Sequence, residues 1–135
     1  MIMPESIQHH QLVQILKLEM QAVVPPDRWR LIQIDSPDSL NPPSKTIEKY
    51  RPDAYYQFEE LLVIGEAKTS NDVEKQHSRA QYESYLRECS NFSGQAILII
   101  VVPLLEQASA NNILQNLKKK FLGDYQIIVK GWIED

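Results

Sequence analysis

Three charged residues, Asp53, Glu66 and Lys68, have the types and spacing expected of a metal-dependent hydrolytic site. Glu66 and Lys68 are two positions apart and follow the apolar run Leu61-Leu62-Val63-Ile64, so in a strand both side chains leave the same face. Asp53 begins the preceding predicted strand, and a hairpin between the two strands returns it to the level of Glu66. Two adjacent carboxylates suit Mg²⁺, and Lys68 would then stabilise an anionic transition state or position the attacking water.

The residues Pro52-Asp53, a spacer and Glu66-Ala67-Lys68 resemble the signature of the PD-(D/E)xK nuclease superfamily. The apolar strand before Glu66 is similar to the third core strand of that family. The resemblance implies a restriction-endonuclease-like αβββαβ core, in which the acid pair holds Mg²⁺ and the lysine assists phosphodiester hydrolysis. It also implies Mn²⁺ as a substitute ion and nucleic acid, foremost DNA, as the partner.

Two residues of the next predicted helix, Gln81 and Tyr85, resemble the Gln-x-x-x-Tyr element of RecB-type and related nucleases. The resemblance as a whole covers about residues 19–85, and it implies that Gln81 and Tyr85 orient the site or contact the nucleic-acid backbone. Many members of the family place a glutamate of the first helix at the metal site. Glu19 lies on the apolar face of that predicted helix, which makes it a candidate metal ligand. The alternative is a glutamate at the helix edge with its carboxylate in water, and the sequence leaves both open.

Each candidate also has a purely structural interpretation. Glu66 and Lys68 would form a salt bridge of little energetic consequence if their face of the sheet were exposed. Asp38 also follows a proline and competes as the first acid, but its neighbours favour a loop. The histidines have neither HxxxH spacing nor a cysteine partner, so we expect no zinc site; they are His9, His10 and His77. We expect structural roles for His9 and His77.

The elements that must position these residues follow from hydrophobic periodicity and turn chemistry. Helical periodicity predicts helices at about residues 7–24, 73–89 and 112–121. Apolar alternation or continuous apolar runs predict strands at about residues 29–34, 53–58, 61–68, 95–102 and 125–130. The order αβββαβαβ predicts an α/β fold, with a central mixed sheet flanked by helices and a C-terminal helix and strand added to the αβββαβ core. We expect residues 1–135 to form a single domain.

The amino-acid composition of the chain limits the classes of function that it can have. Fourteen Lys and Arg against eighteen Asp and Glu give a net charge of −4, without the basic excess of a freestanding nucleic-acid binder. The alternative to a nuclease is therefore a catalytically inactive nuclease-fold subunit that binds or scaffolds a nucleic-acid-processing complex. A homodimer or a partner protein would supply DNA contacts in either case. The single cysteine, the lack of a signal-peptide pattern and the lack of a membrane-length apolar run predict a cytoplasmic protein that does not enter membranes.

Overall fold

The computed structural model describes residues 4–133, and the side chains of residues 7–133. Within this range the helices are α1 (Pro4–Val23), α2 (Gln76–Asn91) and α3 (Gln107–Lys118). The strands are β1 (Gln33–Ile34), β2 (Ala54–Phe58), β3 (Leu61–Ala67), β4 (Gln95–Pro103) and β5 (Gln126–Trp132). Short 3₁₀ helices occupy Pro26–Leu31 and Leu104–Glu106.

The strands form one five-stranded mixed sheet in the order β1-β2-β3-β4-β5. Strand β2 is antiparallel to both of its neighbours, β1 and β3, whereas β3, β4 and β5 run parallel. A tight turn at Glu59, where φ is 53°, joins β2 to β3, and helices α2 and α3 provide the crossovers between the parallel strands. The predicted α/β class, mixed sheet and element order are confirmed.

Helices cover both faces of the sheet, so β3 and β4 are buried on both sides. On one face α1 packs over Ile97, Ile99 and Val101 of β4. On the other face α2 and α3 pack over the alternate β4 residues Ala96, Leu98, Ile100 and Val102. A Cβ added at Gly65 would lie 2.7 Å from Leu16 Cδ1, so the glycine permits the close approach of α1 to β3.

The predicted strand at residues 29–34 is wrong over its first four positions, and only Gln33 and Ile34 pair with β2. Pro26 occupies the first turn of a 3₁₀ helix, where its fixed φ and missing N–H are tolerated. The Trp29 indole then donates to the carbonyl oxygens of Gln21 and Val24 at 3.1 and 2.9 Å. These bonds fold the segment back against the end of α1, which an alternating pattern alone does not reveal.

All three helix starts also differ from the predicted bounds, and α1 begins at Pro4, three positions earlier than predicted. Helix α2 begins at Gln76 because residues 69–75 form consecutive turns closed by backbone bonds, such as Asp72 N to Thr69 O at 3.0 Å. Helix α3 begins at Gln107, five positions earlier than predicted, and buries Ala110. Of the helices in residues 4–133, none combines the length and the apolar character that a membrane crossing requires.

Candidate active site

The hairpin of β2 and β3 brings Asp53 and Glu66 together. Ala54 pairs with Gly65, so Asp53, which directly precedes β2, lies opposite Glu66 near the end of β3. The backbone N–H of Asp53 donates to Glu66 Oε1 at 3.2 Å. Asp53 is 8% exposed and Glu66 4%, so two carboxyl groups share a site that is almost closed to solvent.

Glu66 has a donor for each carboxylate oxygen. The Tyr85 hydroxyl donates to Oε1 at 2.9 Å, and Lys68 Nζ lies 3.4 Å from Oε2. Burial raises the pKa of the Glu66 carboxyl to about 8, and the nearby Asp53 carboxylate adds to this rise. The Lys68 charge and the Tyr85 hydrogen bond oppose it. The site therefore disfavours the carboxylate form of Glu66, which is desolvated and lies next to a second acid.

Lys68 lies just beyond β3 and continues its ladder, since its N–H donates to Val101 O at 3.0 Å. Its ammonium group contacts Glu66 and donates to Gln81 Oε1 of α2. Lys68 is 8% exposed, so the pair is a salt bridge as the structural interpretation expected, but a buried one. Buried ion pairs carry desolvation penalties that surface pairs do not.

Helix α2 brings Gln81 and Tyr85 to the site from one side. The two residues are four positions apart and lie on one face of the helix, where Gln81 meets Lys68 and Tyr85 meets Glu66. Tyr85 is fully buried, and burial followed by the Glu66 charge raises the pKa of its phenol far above the ordinary value. Tyr85 is therefore a hydrogen-bond donor and not an acid in this site.

His9 is the site residue that the sequence interpretation missed. Its Nε2 lies 3.3 Å from Asp53 Oδ2, an oxygen that also accepts the Ala67 N–H at 2.8 Å. The hydrogen bond to Asp53 raises the pKa of His9, against the effect of partial burial. His9 shares a face of α1 with Leu12 and Leu16 by helical spacing, and this inward position was the available signal.

Glu19 is not brought to the site. It follows His9 by ten residues, which is about 15 Å along the axis of α1. Its residue is half-buried, and among the described residues it forms no metal-binding group with Asp53 and Glu66. Asp38, the rival first acid, lies in the loop after β1 and faces a cleft beside the site.

The donor set at the acid pair suits Mg²⁺. Asp53 makes both of its side-chain hydrogen bonds through Oδ2, so Oδ1 is the oxygen that could bind a cation. Among residues 7–133 no group of three or more His, Cys, Asp and Glu side chains is arranged to hold an ion. Mg²⁺ keeps several waters and commonly uses only one or two carboxylates, so Asp53 and Glu66 fit this ion. A divalent cation would also offset the repulsion between the two carboxylates.

A cleft of about 630 Å³ lies beside His9, and neither Asp53 nor Glu66 lines it. Its walls are formed by side chains of α1 between His9 and Lys17, by residues 34–38, and by Thr69 and Asp72. His9 faces this cleft and also contacts Asp53, so it lies between the open space and the buried carboxylates. Three aspartates and one lysine line the walls: Asp35, Asp38, Asp72 and Lys17. The cleft therefore lacks the basic lining that a polyanion would favour.

Comparison with known proteins adds no relative. No family model matches the chain. No curated protein and no solved structure matches it either.

Proposed function

We propose that this protein is a metal-dependent nuclease of the PD-(D/E)xK type, which hydrolyses phosphodiester bonds of DNA or RNA. The observation that carries the proposal is the buried pair of Asp53 and Glu66, with Lys68 fixed beside it. The order of helices and strands is consistent with a restriction-endonuclease-like core. A hydrolytic function also gives a reason for two acids to share one closed site, which stability alone does not.

Asp53 and Glu66 would hold Mg²⁺, or Mn²⁺ in its place. The ion, when bound, supplies Lewis-acid polarisation of the phosphoryl oxygen and a more acidic water. Lys68 donates hydrogen bonds to the negative charge that develops on the phosphate, since an ammonium group has no lone pair with which to bind a metal. Gln81 holds the Lys68 ammonium in place, and Tyr85 fixes the orientation of the Glu66 carboxylate.

A cleavage assay with matched variants tests this proposal. The wild-type protein is incubated with Mg²⁺ or Mn²⁺ and with single-stranded, duplex and branched DNA and RNA. We expect cleavage of at least one substrate, lost with chelator and reduced at least about 10²-fold in Glu66→Gln. Glu83→Gln is the control, because Glu83 lies on the outer side of α2 in a surface pair with Lys120. Equal cleavage by the wild type and Glu66→Gln would identify a contaminating nuclease and contradict the proposal.

The acidic walls of the cleft favour a second candidate, an inactive nuclease-fold subunit that contributes to a complex. Asp35, Asp38 and Asp72 face the space through which a nucleic acid would approach. In this function, and also in a nuclease that needs help to bind DNA, a second copy or a partner protein supplies the basic contacts. Absence of cleavage on every substrate, with Mn²⁺ binding retained, would favour the subunit.

A further inference from the structure

The segment between β1 and β2 forms a closed turn three residues before Asp53. Thr46 N–H donates to Tyr50 O at 2.8 Å, and Tyr50 N–H donates to Thr46 Oγ1 at 3.2 Å. Lys49 adopts φ of 75°, which lets the chain reverse within this turn. Residues 46–50, called the 46–50 turn below, therefore have a defined shape and lead directly through Pro52 to Asp53.

A chain of hydrogen bonds ties the 46–50 turn to α2. Ser84 Oγ lies 2.6 Å from Thr46 Oγ1 and 2.5 Å from Glu48 Oε1. Ser84 has one hydroxyl proton and a carboxylate only accepts, so every group is satisfied when Ser84 donates to Glu48 and Thr46 donates to Ser84. Thr46 and Ser84 are both buried, and such connected bonds strengthen one another in a low dielectric.

Two further contacts join the same turn to α2. Arg87 Nη1 lies 2.7 Å from Glu48 Oε2. The ring of Tyr50 packs edge-on against His77, with 5.6 Å between the ring centroids. The pKa of Glu48 is lowered by its hydrogen bond to Ser84 and by the Arg87 charge. The 46–50 turn therefore contacts α2 at three positions along the helix, His77, Ser84 and Arg87.

We propose that the 46–50 turn, through Ser84 and Glu48, positions Asp53 relative to Glu66. Helix α2 already holds Glu66 through Tyr85, the neighbour of Ser84 in sequence. Contacts with one helix therefore support both acids, in addition to the register of the β2–β3 hairpin that brings them together. The inference rests on the proposed function, because it makes Ser84 and Glu48 positioning residues for that site.

The test compares Glu48→Ala, Ser84→Ala and the conservative variant Glu48→Gln. Glu48 lies at the surface, so its replacements are expected to fold even if Ser84→Ala does not. Glu83→Ala is the control, since it removes a carboxylate of α2 whose ion pair is with Lys120, away from the 46–50 turn. Two readouts are measured: the Mn²⁺ dissociation constant by calorimetry, and the amide shift of Ala67 by nuclear magnetic resonance. The Ala67 amide reports the position of Asp53 without any metal, because it donates to Asp53 Oδ2 at 2.8 Å.

We expect Glu48→Ala and Ser84→Ala to move the Ala67 amide resonance and to weaken Mn²⁺ binding about 10-fold or more. Glu48→Gln retains an acceptor for Ser84 and should recover much of the loss, whereas Glu83→Ala should match the wild type. An unchanged Ala67 resonance in folded Glu48→Ala would overturn the inference and leave the nuclease proposal intact. A wild-type protein that binds no Mn²⁺, with Ala67 still shifted in the variants, would refute the metal site while supporting the positioning of Asp53.

Discussion

Replacement of Glu66 by glutamine should change how the stability of the protein depends on pH. Burial and the neighbouring Asp53 carboxylate raise the pKa of Glu66 to about 8, whereas its ordinary value is 4.5. Between these two pH values the folded protein holds a proton that the unfolded chain has released. The free energy of unfolding therefore falls as pH rises through this window, and the stability present below pH 4.5 is lost by about pH 8.

The size of the effect follows from proton linkage. One proton held only by the folded state gives a slope of about 1.4 kcal/mol per pH unit, or on the order of 5 kcal/mol across the window. In the Glu66→Gln variant the new amide oxygen would still accept from Tyr85 and from the Asp53 N–H, but the side chain cannot ionise. The wild type should therefore lose stability relative to Glu66→Gln as pH rises, whatever constant difference separates the two proteins at acidic pH.

Urea unfolding from about pH 5 to about pH 9, in the presence of a chelator, measures this difference. Glu83→Gln serves as the control and should follow the wild type at every pH. Excess Mn²⁺ should then stabilise the wild type by about 3 kcal/mol at one hundred times its dissociation constant, and Glu66→Gln much less. Parallel stability curves for the wild type and Glu66→Gln would show that Glu66 does not titrate in this range and would refute the reasoning.

Three other substitutions test the site and its support. Lys68→Ala should reduce cleavage about 10²–10³-fold while calorimetry shows Mn²⁺ affinity retained; equal loss of both would make Lys68 a structural residue. Tyr85→Phe removes a donor from Glu66 and should lower the free energy of unfolding, measured in urea, by about 1–3 kcal/mol. An unchanged free energy of unfolding would show that this hydrogen bond does not stabilise the fold. Gly94→Ala places a Cβ 2.2 Å from the Glu60 carbonyl oxygen, so the melting temperature should fall markedly, and an unchanged melting temperature would contradict this contact.

The central strands could be predicted from the sequence because burial and propensity favour the same structure there. Residues 61–67 and 95–102 are nearly continuous in apolar side chains, as strands covered on both faces should be. The segment at residues 29–34 alternates as a strand would, yet Trp29 finds its hydrogen-bond acceptors at the end of α1. Local alternation could not predict this outcome, since the acceptors belong to another element.

The same distinction applies to the site, where some contacts follow from local spacing and others from the packing of distant elements. Asp53 and Glu66 meet because a tight hairpin fixes their register, and Gln81 and Tyr85 share a helix face because they are four positions apart. Short-range geometry determines both facts. His9 contacts Asp53, and Ser84 contacts Thr46, only through the packing of whole helices against the rest of the chain. Helical spacing predicts that His9 faces inward, but it does not identify Asp53 as the partner of His9 or Thr46 as the partner of Ser84.

The numbers of acidic and basic groups in the buried site also bear on its function. A structural ion pair needs one acid for one base. Here the Lys68 ammonium contacts Glu66, and Asp53 adds a second carboxyl group beside Glu66. The second acid adds repulsion and desolvation that apolar residues of similar size would avoid. His9 offsets part of this excess only when it is protonated, and it does so from the side of the open cleft. A divalent cation would balance the two buried carboxylates when both are ionised, and this is the physical reason for which we propose metal binding here.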